Sequence, residues 1–245
     1  MRKDIVNEDI ILNQNTEGLC YGTDALLLAA FLRPKARGKA AEFGAGTGII
    51  SLLAAKRKKF GRIYAFEVQA EYADLCRHNV AENGMDEVIT TIHADIREAK
   101  SEMTDGELDA VYCNPPYMRT DTGTRNENDG KYVARHEVCG NIGDFCSAAK
   151  RLLKHGGRFY VVYRQDRLCD LICAMRENKI EPKRMTMVYN DPTYPPCLVL
   201  IEGRKGGGEG LFVTKPLFIK DKDEDSEEIR YIYENGEFSD GYRKE

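Results

Sequence analysis

The chain has 245 residues, which is enough for one sizeable core and within the range of a single α/β domain. Hydrophobic residues make up 42% and charged residues 31%, and no apolar run is long enough to span a membrane, which excludes a helical membrane protein. The formal net charge is −4, but residues 220–245 alone carry ten acidic and five basic side chains, so the rest of the chain is close to neutral.

The beginning of the chain and its cysteines predict a reducing, cytoplasmic compartment. The first residues, "MRKDIVNEDI", are charged and do not resemble a secretory signal peptide. The eight cysteines are scattered, and none forms the Cys-x-x-Cys pair typical of a zinc site. We therefore predict free thiols, several of them in the core, and no metal site.

The first half of the chain alternates between helices and strands. Residues 22–32, "GTDALLLAAFL", predict a helix that Thr23 or Asp24 can cap and that Arg33-Pro34 ends. A short strand, a glycine-rich turn and a helix beginning near Thr47 follow. The next predicted elements are strands at 62–68, 87–95 and 107–113 and a helix at 69–84.

The second half begins with residues 118–140, which have no periodicity and predict a long loop. Beyond it we predict helices at 142–154 and 166–178, strands at 158–164, 182–190 and 196–205, and a flexible link, 206–210, that leads to an acidic tail. Alternating strands and helices predict an α/β fold with a mostly parallel sheet covered on both faces. The final strand pair would form its antiparallel edge.

A glycine-rich turn, "EFGAGTG" at residues 42–48, follows a strand and opens a helix. Gly44, Gly46 and Gly48 would let the backbone turn tightly and approach a ligand closely, although a purely structural turn is the alternative. The spacing fits S-adenosylmethionine better than NAD, because Ile49 stands where the NAD fingerprint has its third glycine. No Gly-Lys-Ser/Thr follows the turn, so a phosphate site is not indicated.

Two acidic residues end the strands that follow the turn. Glu67 lies 23 residues beyond Gly44, where an acid can accept hydrogen bonds from two ribose hydroxyls. Asp95 ends the next strand and is a candidate for the adenine edge of a bound nucleoside. A helix-capping role explains Asp95 equally well.

Residues 111–120, "VYCNPPYMRT", run from an apolar strand into a polar loop. Two successive prolines would break a helix and cannot donate ladder hydrogen bonds in a strand. We therefore predict a rigid loop at the end of a strand that presents Asn114 and Tyr117. For the motif taken alone, a rigid turn without further function is the alternative.

Taken in order, "EFGAGTG", Glu67, Asp95 and "NPPY" resemble the class I S-adenosylmethionine methyltransferases that act on planar amino groups. The "NPPY" motif follows the glycine turn by about 70 residues, as it does in that group. The resemblance implies a Rossmann-like, seven-stranded, mostly parallel sheet with helices on both faces and an antiparallel edge hairpin. It also implies S-adenosylmethionine as the cofactor, S-adenosylhomocysteine as the product and no metal.

The resemblance assigns the catalytic roles to the "NPPY" motif. The lone pair of a planar amine is delocalised, so the nitrogen is a poor nucleophile. The side-chain oxygen of Asn114 and the carbonyl of Pro115 would accept hydrogen bonds from the NH₂ group and favour a pyramidal, attacking nitrogen. Tyr117 would stack on the base, next to Pro116.

Further segments narrow the resemblance to the bacterial tRNA(Val) adenine-N6 methyltransferases, which modify adenine 37. These segments are "EDIILNQNTEGLCYGTDALLLAAFL", "ARHE" and "YPPCLVLIEGRKGG", and the similarity covers about residues 5 to 235. It implies a single methyltransferase domain, 1–245. Within it, residues 1–39 would cap the cofactor, residues 40–205 would form the core, and residues 206–245 would be a linker and an acidic tail.

The family also implies which residues contact the ligands. Thr23 and Asp24 would lie near the ammonium of the cofactor, with plain helix capping as the alternative. The expected cofactor contacts are Thr23, Asp24, Glu42, Gly44, Gly46, Gly48, Glu67, Asp95 and Asn114. The expected substrate contacts are Pro116, Tyr117, Arg119, Arg125, Lys131, Arg135 and His136.

A nucleic acid, most simply tRNA, is the expected partner, with no membrane and no obligatory protein partner. Basic clusters at 56–59, at 150–154 and at Arg164 with Arg167 are either solvated faces or RNA contacts. The alternative functions are the same chemistry on ribosomal RNA, DNA adenine or protein glutamine, and a non-catalytic cofactor-binding module. The intact "NPPY" motif disfavours the last, because a binding module needs no amine acceptors.

Overall fold

The computed structural model describes residues 2–6, 10–14, 22–115 and 140–242. Its strands are β1 (Arg2–Val6), β2 (Ile10–Gln14), β3 (Lys35–Phe43), β4 (Phe60–Glu67), β5 (Ile89–His93), β6 (Leu108–Cys113), β7 (Leu153–Arg164), β8 (Ile180–Tyr189), β9 (Pro196–Lys205), β10 (Phe212–Val213), β11 (Leu217–Phe218), β12 (Lys220–Asp221) and β13 (Glu224–Asp225). Its α-helices are α1 (Thr23–Phe31), α2 (Ile49–Lys56), α3 (Ala70–Glu82), α4 (Ile142–Leu152), α5 (Leu168–Glu177) and α6 (Glu227–Asn235).

The central sheet has the order β10-β8-β9-β7-β6-β3-β4-β5, and β11 also pairs with β8. Strands β5, β4, β3, β6 and β7 are parallel, whereas β9 runs antiparallel between β7 and β8. The predicted seven-stranded, mostly parallel sheet with an antiparallel edge is therefore confirmed. The structure adds the short strands β10 and β11 outside β8.

Side chains of successive strand residues enter two different cores, because they point to opposite faces of the sheet. Ala40 of β3 and Tyr112 of β6 pack on the face that carries α1, α2, α3 and α6. Ala41 and Val111, one position away, pack on the face that carries α4 and α5. The helices therefore cover both faces, as predicted. Within the described residues, no helix is both long and apolar enough to cross a bilayer.

The order of the strands places a functional crevice between β3 and β6. β3 is the first strand of this sheet along the chain, and its neighbours β4 and β6 lie on opposite sides of it. In such sheets, ligands bind outside the carboxyl ends of the strands, at the point where the strand order reverses. Phe43 pairs with Cys113 in the parallel register, so Gly44 and Asn114 leave the sheet at the same level.

The hairpin of β1 and β2 lies outside this sheet and is held by two asparagines at the end of α3, Asn79 and the C-cap Asn83. The amide of Asn79 accepts from the backbone N–H of Asn13 at 2.9 Å and donates to its carbonyl at 3.1 Å. Asn83, one helical turn later, does the same for Ile11, at 2.9 and 2.7 Å. Because residues four apart share one face of a helix, α3 satisfies the polar edge of β2 as a strand would.

The C-terminal segment differs from the predicted flexible link and acidic tail. Ile229 and Ile232 of α6 are buried in the core that contains α1 and α2. Phe238 packs edge-on against Phe31 of α1, with ring centroids 5.7 Å apart. The sequence prediction weighted the acidic residues of 220–245, whereas the apolar residues at helical spacing between them decide the packing.

A buried cation joins this C-terminal segment to α1. The Arg184 guanidinium lies 3.7 Å from the ring centroid of Phe31 and donates to the carbonyl of Phe31 at 2.7 Å. It also donates to the carbonyl of Tyr242 at 3.4 Å and faces the carboxylate of Glu202 at 2.9 Å. Burial lowers the pKa of Arg184 to about 10, so the side chain stays charged at neutral pH.

Candidate active site

The glycine-rich turn connects β3 to α2 in the left-handed backbone region. Gly44 and Gly46 have φ of 71° and 55°, and a β-carbon built at either position would meet no atom within 4 Å. The turn is therefore open on the side where these glycines lie, and a ligand can approach its backbone closely. This open space at the turn fits a nucleoside cofactor.

Gly48 is required for a different reason. Its φ is 83°, and a β-carbon there would lie 2.7 Å from the sulfur of Cys76 on α3. This glycine lets α2 pack closely on α3, as the third glycine of a dinucleotide turn does. The cofactor contact at Gly48 stays a prediction.

Glu67 ends β4 and holds the turn in place. One carboxylate oxygen accepts from the backbone N–H of Gly46 and the other from that of Gln69, both at 2.9 Å. Each carboxylate oxygen has a second lone pair, so the same side chain can still accept from hydroxyl groups on the open side of the turn. Its position at the strand end agrees with the predicted ribose contact.

Glu42 lies beneath the turn. Only 1% of the residue is exposed, and its carboxyl accepts from the backbone N–H of Ser51 at 3.0 Å and from the Ser51 hydroxyl. The Tyr112 hydroxyl lies 2.9 Å from that hydroxyl. Burial raises the pKa of Glu42 to about 8, so the side chain is neutral at pH 7. In the structure Glu42 anchors α2 against β3 and β6, and its contact with the cofactor stays a prediction.

Asp95 takes the helix-capping role that the sequence left open. Its side chain accepts from the backbone N–H of Arg97 at 2.8 Å, at the start of the 3-10 turn Ile96–Glu98. The Arg97 guanidinium also donates to both of its oxygens, and these hydrogen bonds lower the pKa of Asp95. The contact with an adenine edge stays a prediction.

Asn114, the first residue after β6, is held by a residue at the start of α1. Its Nδ2 donates to Oδ2 of Asp24 at 2.8 Å, and Oδ1 of Asp24 accepts from the backbone N–H of Ala25 at 2.9 Å. A carboxylate accepts hydrogen bonds, so it faces the NH₂ group of a carboxamide and not its oxygen. The pairing therefore fixes the orientation of the Asn114 side chain, with its Oδ1 on the side away from Asp24.

This contact brings the beginning of α1 to the carboxyl end of β6, which spacing in the sequence did not reveal. Gly22 is the N-cap of α1, and Asp24, in the first turn, accepts from the backbone N–H of Ala25. Asp24 thus makes a capping contact with α1, as one alternative predicted, while it also binds Asn114. A contact between Thr23 or Asp24 and the cofactor stays a prediction.

Part of the predicted site lies outside the described residues. All of the predicted substrate contacts lie there, namely Pro116, Tyr117, Arg119, Arg125, Lys131, Arg135 and His136. Pro115 itself is buried directly behind Asn114. Among the residues that the structure describes, no group of His, Cys, Asp and Glu could hold a metal ion.

The basic clusters named from the sequence serve mainly as structural contacts. Lys59 is 2% exposed and donates to the carbonyls of Ala30 and Leu32 at the end of α1, at 3.1 and 2.9 Å. Arg151 donates to backbone carbonyls of 96–99. Three more form ion pairs, namely Lys154 with Asp109, Arg164 with Asp166, and Arg167 with Asp170. For these residues the charge is compensated within the fold, whereas Lys56, Arg57, Lys58 and Lys150 are exposed.

Residues 17–178 match the model of a protein family described as "Methyltransferase small domain". The chain belongs to this family. The matched range contains the glycine turn, Glu67, Asp95 and Asn114, so the residues of the crevice are part of the family's domain. The methyltransferase family that the resemblance implied is thus confirmed.

Two curated relatives carry the name tRNA1(Val) (adenine(37)-N6)-methyltransferase. The protein of Dyadobacter fermentans is 31% identical over 59% of this methyltransferase and 58% of its own length, so the alignment spans little more than half of that relative. The protein of Porphyromonas gingivalis is 28% identical over 79% of the chain and 77% of its own length. The crystal structure of a predicted O-methyltransferase, Atu636 from Agrobacterium tumefaciens, superposes with a TM-score of 0.71 at 20% identity. It covers 88% of this chain and 98% of that one, and it shows the fold alone.

The neutral Glu42 predicts that the stability of this methyltransferase depends on pH. Between the ordinary pKa of 4.5 and the folded-state pKa of about 8, the folded protein holds a proton that the unfolded chain has released. The contribution of this group to the free energy of unfolding therefore falls by about 1.4 kcal/mol per pH unit in that window. In Glu42→Gln, the amide keeps an acceptor for Ser51 and does not titrate. We expect wild type to lose urea stability relative to Glu42→Gln from about pH 5 to about pH 8. An equal pH dependence of the two proteins would show that Glu42 is ionised.

The position of Glu67 predicts its effect on cofactor binding. In Glu67→Gln, the charge is lost and one carboxylate oxygen is replaced by an NH₂ group. That NH₂ group cannot accept a hydrogen bond from the backbone N–H of Gly46 or Gln69. We expect the affinity for S-adenosylmethionine, measured by calorimetry, to fall by about 1–3 kcal/mol. Glu102→Gln, at an exposed 3-10 turn on the opposite edge of the sheet, is the matched control and should bind normally. Unchanged affinity in a folded Glu67→Gln protein would reject this cofactor position.

Proposed function

We propose that the protein transfers the methyl group of S-adenosylmethionine to N6 of an adenine in tRNA, namely adenine 37 of a valine tRNA. The observation that carries the proposal is the hydrogen bond between Asn114 and Asp24. It presents an oriented carboxamide at the level of the glycine turn, in the crevice between β3 and β6. A crevice that served only to hold a cofactor would have no need for an oriented amide acceptor beside it.

The carboxamide supplies what an exocyclic amine needs in order to react. The N6 lone pair of adenine is delocalised into the ring, and hydrogen bonds from its two N–H groups to Oδ1 of Asn114 and to the carbonyl of Pro115 favour the pyramidal form. Both acceptors are fixed before the substrate arrives, Asn114 by Asp24 and Pro115 by its ring. Such preorganised groups lower the barrier without reorganisation during the reaction.

The protein otherwise contributes alignment. The sulfonium of the cofactor supplies an activated methyl group, and the glycine turn with Glu67 would hold the nucleoside part so that its methyl group faces Asn114. The methylated nitrogen becomes acidic and loses its proton to water. No general base is required, so no titrating side chain has to reach the crevice for the reaction.

The names of the relatives support adenine 37 of tRNA as the substrate, because several curated proteins of 25–33% identity are named for that reaction. Adenine 37 lies in the anticodon loop, where unpaired bases can be turned out and stacked on aromatic side chains. Tyr117 would provide one such stack. The residues Arg119, Arg125, Lys131, Arg135 and His136 would contact the phosphates. A tRNA substrate also agrees with a cytoplasmic location.

Transfer of a labelled methyl group to total tRNA tests this function. The tRNA is taken from a strain that lacks the gene, digested to nucleosides and examined for N6-methyladenosine. We expect label in the valine tRNA at position 37, and no label in a transcript of the same tRNA with guanine at that position. Label at another adenine, or in ribosomal RNA, DNA or protein but not in tRNA, would contradict the proposed substrate.

A further inference from the structure

The turn between β8 and β9 presents an exposed aromatic ring at the carboxyl edge of the sheet. Tyr194 is 62% exposed, more than any other aromatic residue among those described, and the next, Tyr231, is 38% exposed. A large ring in water forgoes the free energy that its burial would release. An exposed aromatic ring on the same edge as a candidate active site is available to stack on a ligand that binds there.

The turn is braced by hydrogen bonds, which set the backbone from which the ring projects. The Asp191 side chain accepts from the backbone N–H of Thr193 at 2.8 Å and from its hydroxyl at 2.5 Å. The backbone N–H of Tyr194 donates to the carbonyl of Asp191 at 3.4 Å. Pro195 and Pro196 then restrict the backbone that follows. A partner that binds here meets a backbone that is already ordered, so binding has to order little beyond the side chain.

The ring stands in a groove of about 460 Å³ whose lining combines flat apolar surfaces with amides. The lining includes Arg164, Gln165, Asn190, Tyr194, Pro196 and Leu198. Flat apolar walls with donors and acceptors at the rim fit a planar heterocycle that has polar edges. The positive charge of Arg164 is compensated by Asp166, with hydrogen bonds of 2.9 and 2.7 Å, so the groove is not an electrostatic phosphate site.

Strand register places this groove beside the proposed active site. Cys113 of β6 pairs with Val161 of β7, which puts Asn114 level with Val162. Arg164, two residues further along β7, pairs with Leu198 of β9. Neighbouring strands are about 4.8 Å apart, so β9 lies roughly 10 Å from the strand that carries Asn114. Tyr194 precedes Leu198 by four residues, so its turn extends further beyond the carboxyl ends of the strands. This placement suits a nucleotide close in sequence to the one whose base reacts.

We propose that Tyr194 is a stacking platform for an unpaired RNA base that flanks the methylated adenine. The inference rests on the proposed function and adds a second base-binding position to the same edge of the sheet. Stacking on an aromatic ring tolerates any base, because every base has a π-face. The site therefore contributes affinity and positions the loop, while the "NPPY" motif receives the reacting adenine.

The probes are two valine anticodon stem–loops that carry 2-aminopurine, one on the 5′ side and one on the 3′ side of adenine 37. Stacking on a tyrosine changes the fluorescence of this base. We expect one of the two RNAs to respond to the wild-type protein, to lose that response with Tyr194→Ala and to keep it with Tyr194→Phe. RNA affinity should fall by between about 5-fold and about 150-fold in Tyr194→Ala. The loss should be the same at low and high salt, because no phosphate contact is removed.

Tyr231→Ala is the matched control, since that tyrosine is also exposed but lies on α6, whose end contacts Arg57 away from the groove. Cofactor affinity should be unchanged in all three variants. If Tyr194→Ala methylates the stem–loop at the wild-type rate and binds the RNA as tightly as the wild-type protein, this inference is overturned and the proposed function is left intact. Failure of the wild-type protein to methylate any RNA would overturn both. Binding of a proline-rich peptide or of a second copy of the chain at Tyr194, with no effect of RNA, would also overturn it.

Discussion

The parallel register of β3 and β6 is the constraint on which the candidate site depends. Because Phe43 and Cys113 are paired, the two strands release the glycine turn and Asn114 at one level of the sheet. Their following segments diverge, because the strand order reverses there, and the crevice forms between them. A shift of one residue in this register would turn the side chains of β6 to the opposite face and move Asn114 out of the crevice.

Buried polar groups hold the loops at this edge in place. Glu67 fixes the turn from β4, and the neutral Glu42 fixes the start of α2 from below. Asn79 donates to the carbonyl of Thr47 in the turn at 2.9 Å while it binds the backbone of β2, so the N-terminal hairpin and the turn share one side chain. Replacing one of these side chains leaves several buried hydrogen-bonding groups without a partner, which lowers the free energy of unfolding. The edge is therefore preorganised for a ligand. Asp24 holds the side chain of Asn114 in the same way, through a hydrogen bond.

The sequence predicted the elements of the sheet and the residues of the crevice, because both rest on local patterns. These patterns are the alternation of apolar strands with helices, glycines in left-handed positions, and prolines. Each of them determines the backbone conformation within a few residues. The contacts between Asp24 and Asn114, and between Gly48 and Cys76, join distant segments and follow only from the packing of helices on the sheet. The C-terminal segment was mistaken for a tail because charge dominates its composition, although Ile229 and Ile232 anchor it. Likewise, the basic clusters suggested a solvated or RNA-binding surface. In the structure, Lys154 and Arg151 instead contact an acid and backbone carbonyls that the fold brings near them.

The central claim is that the oriented carboxamide of Asn114 accepts the hydrogen bonds of the reacting amine. Single-turnover methyl transfer to valine tRNA by Asn114→Ala, at saturating cofactor and RNA, tests it most directly. Because the side chain serves the incoming amine, folding should stay near wild type, and the rate should fall at least about 100-fold even with the cofactor saturating. Asn235→Ala, at the exposed end of α6, controls for loss of an asparagine. A folded Asn114→Ala protein that methylates at the wild-type rate would contradict the account.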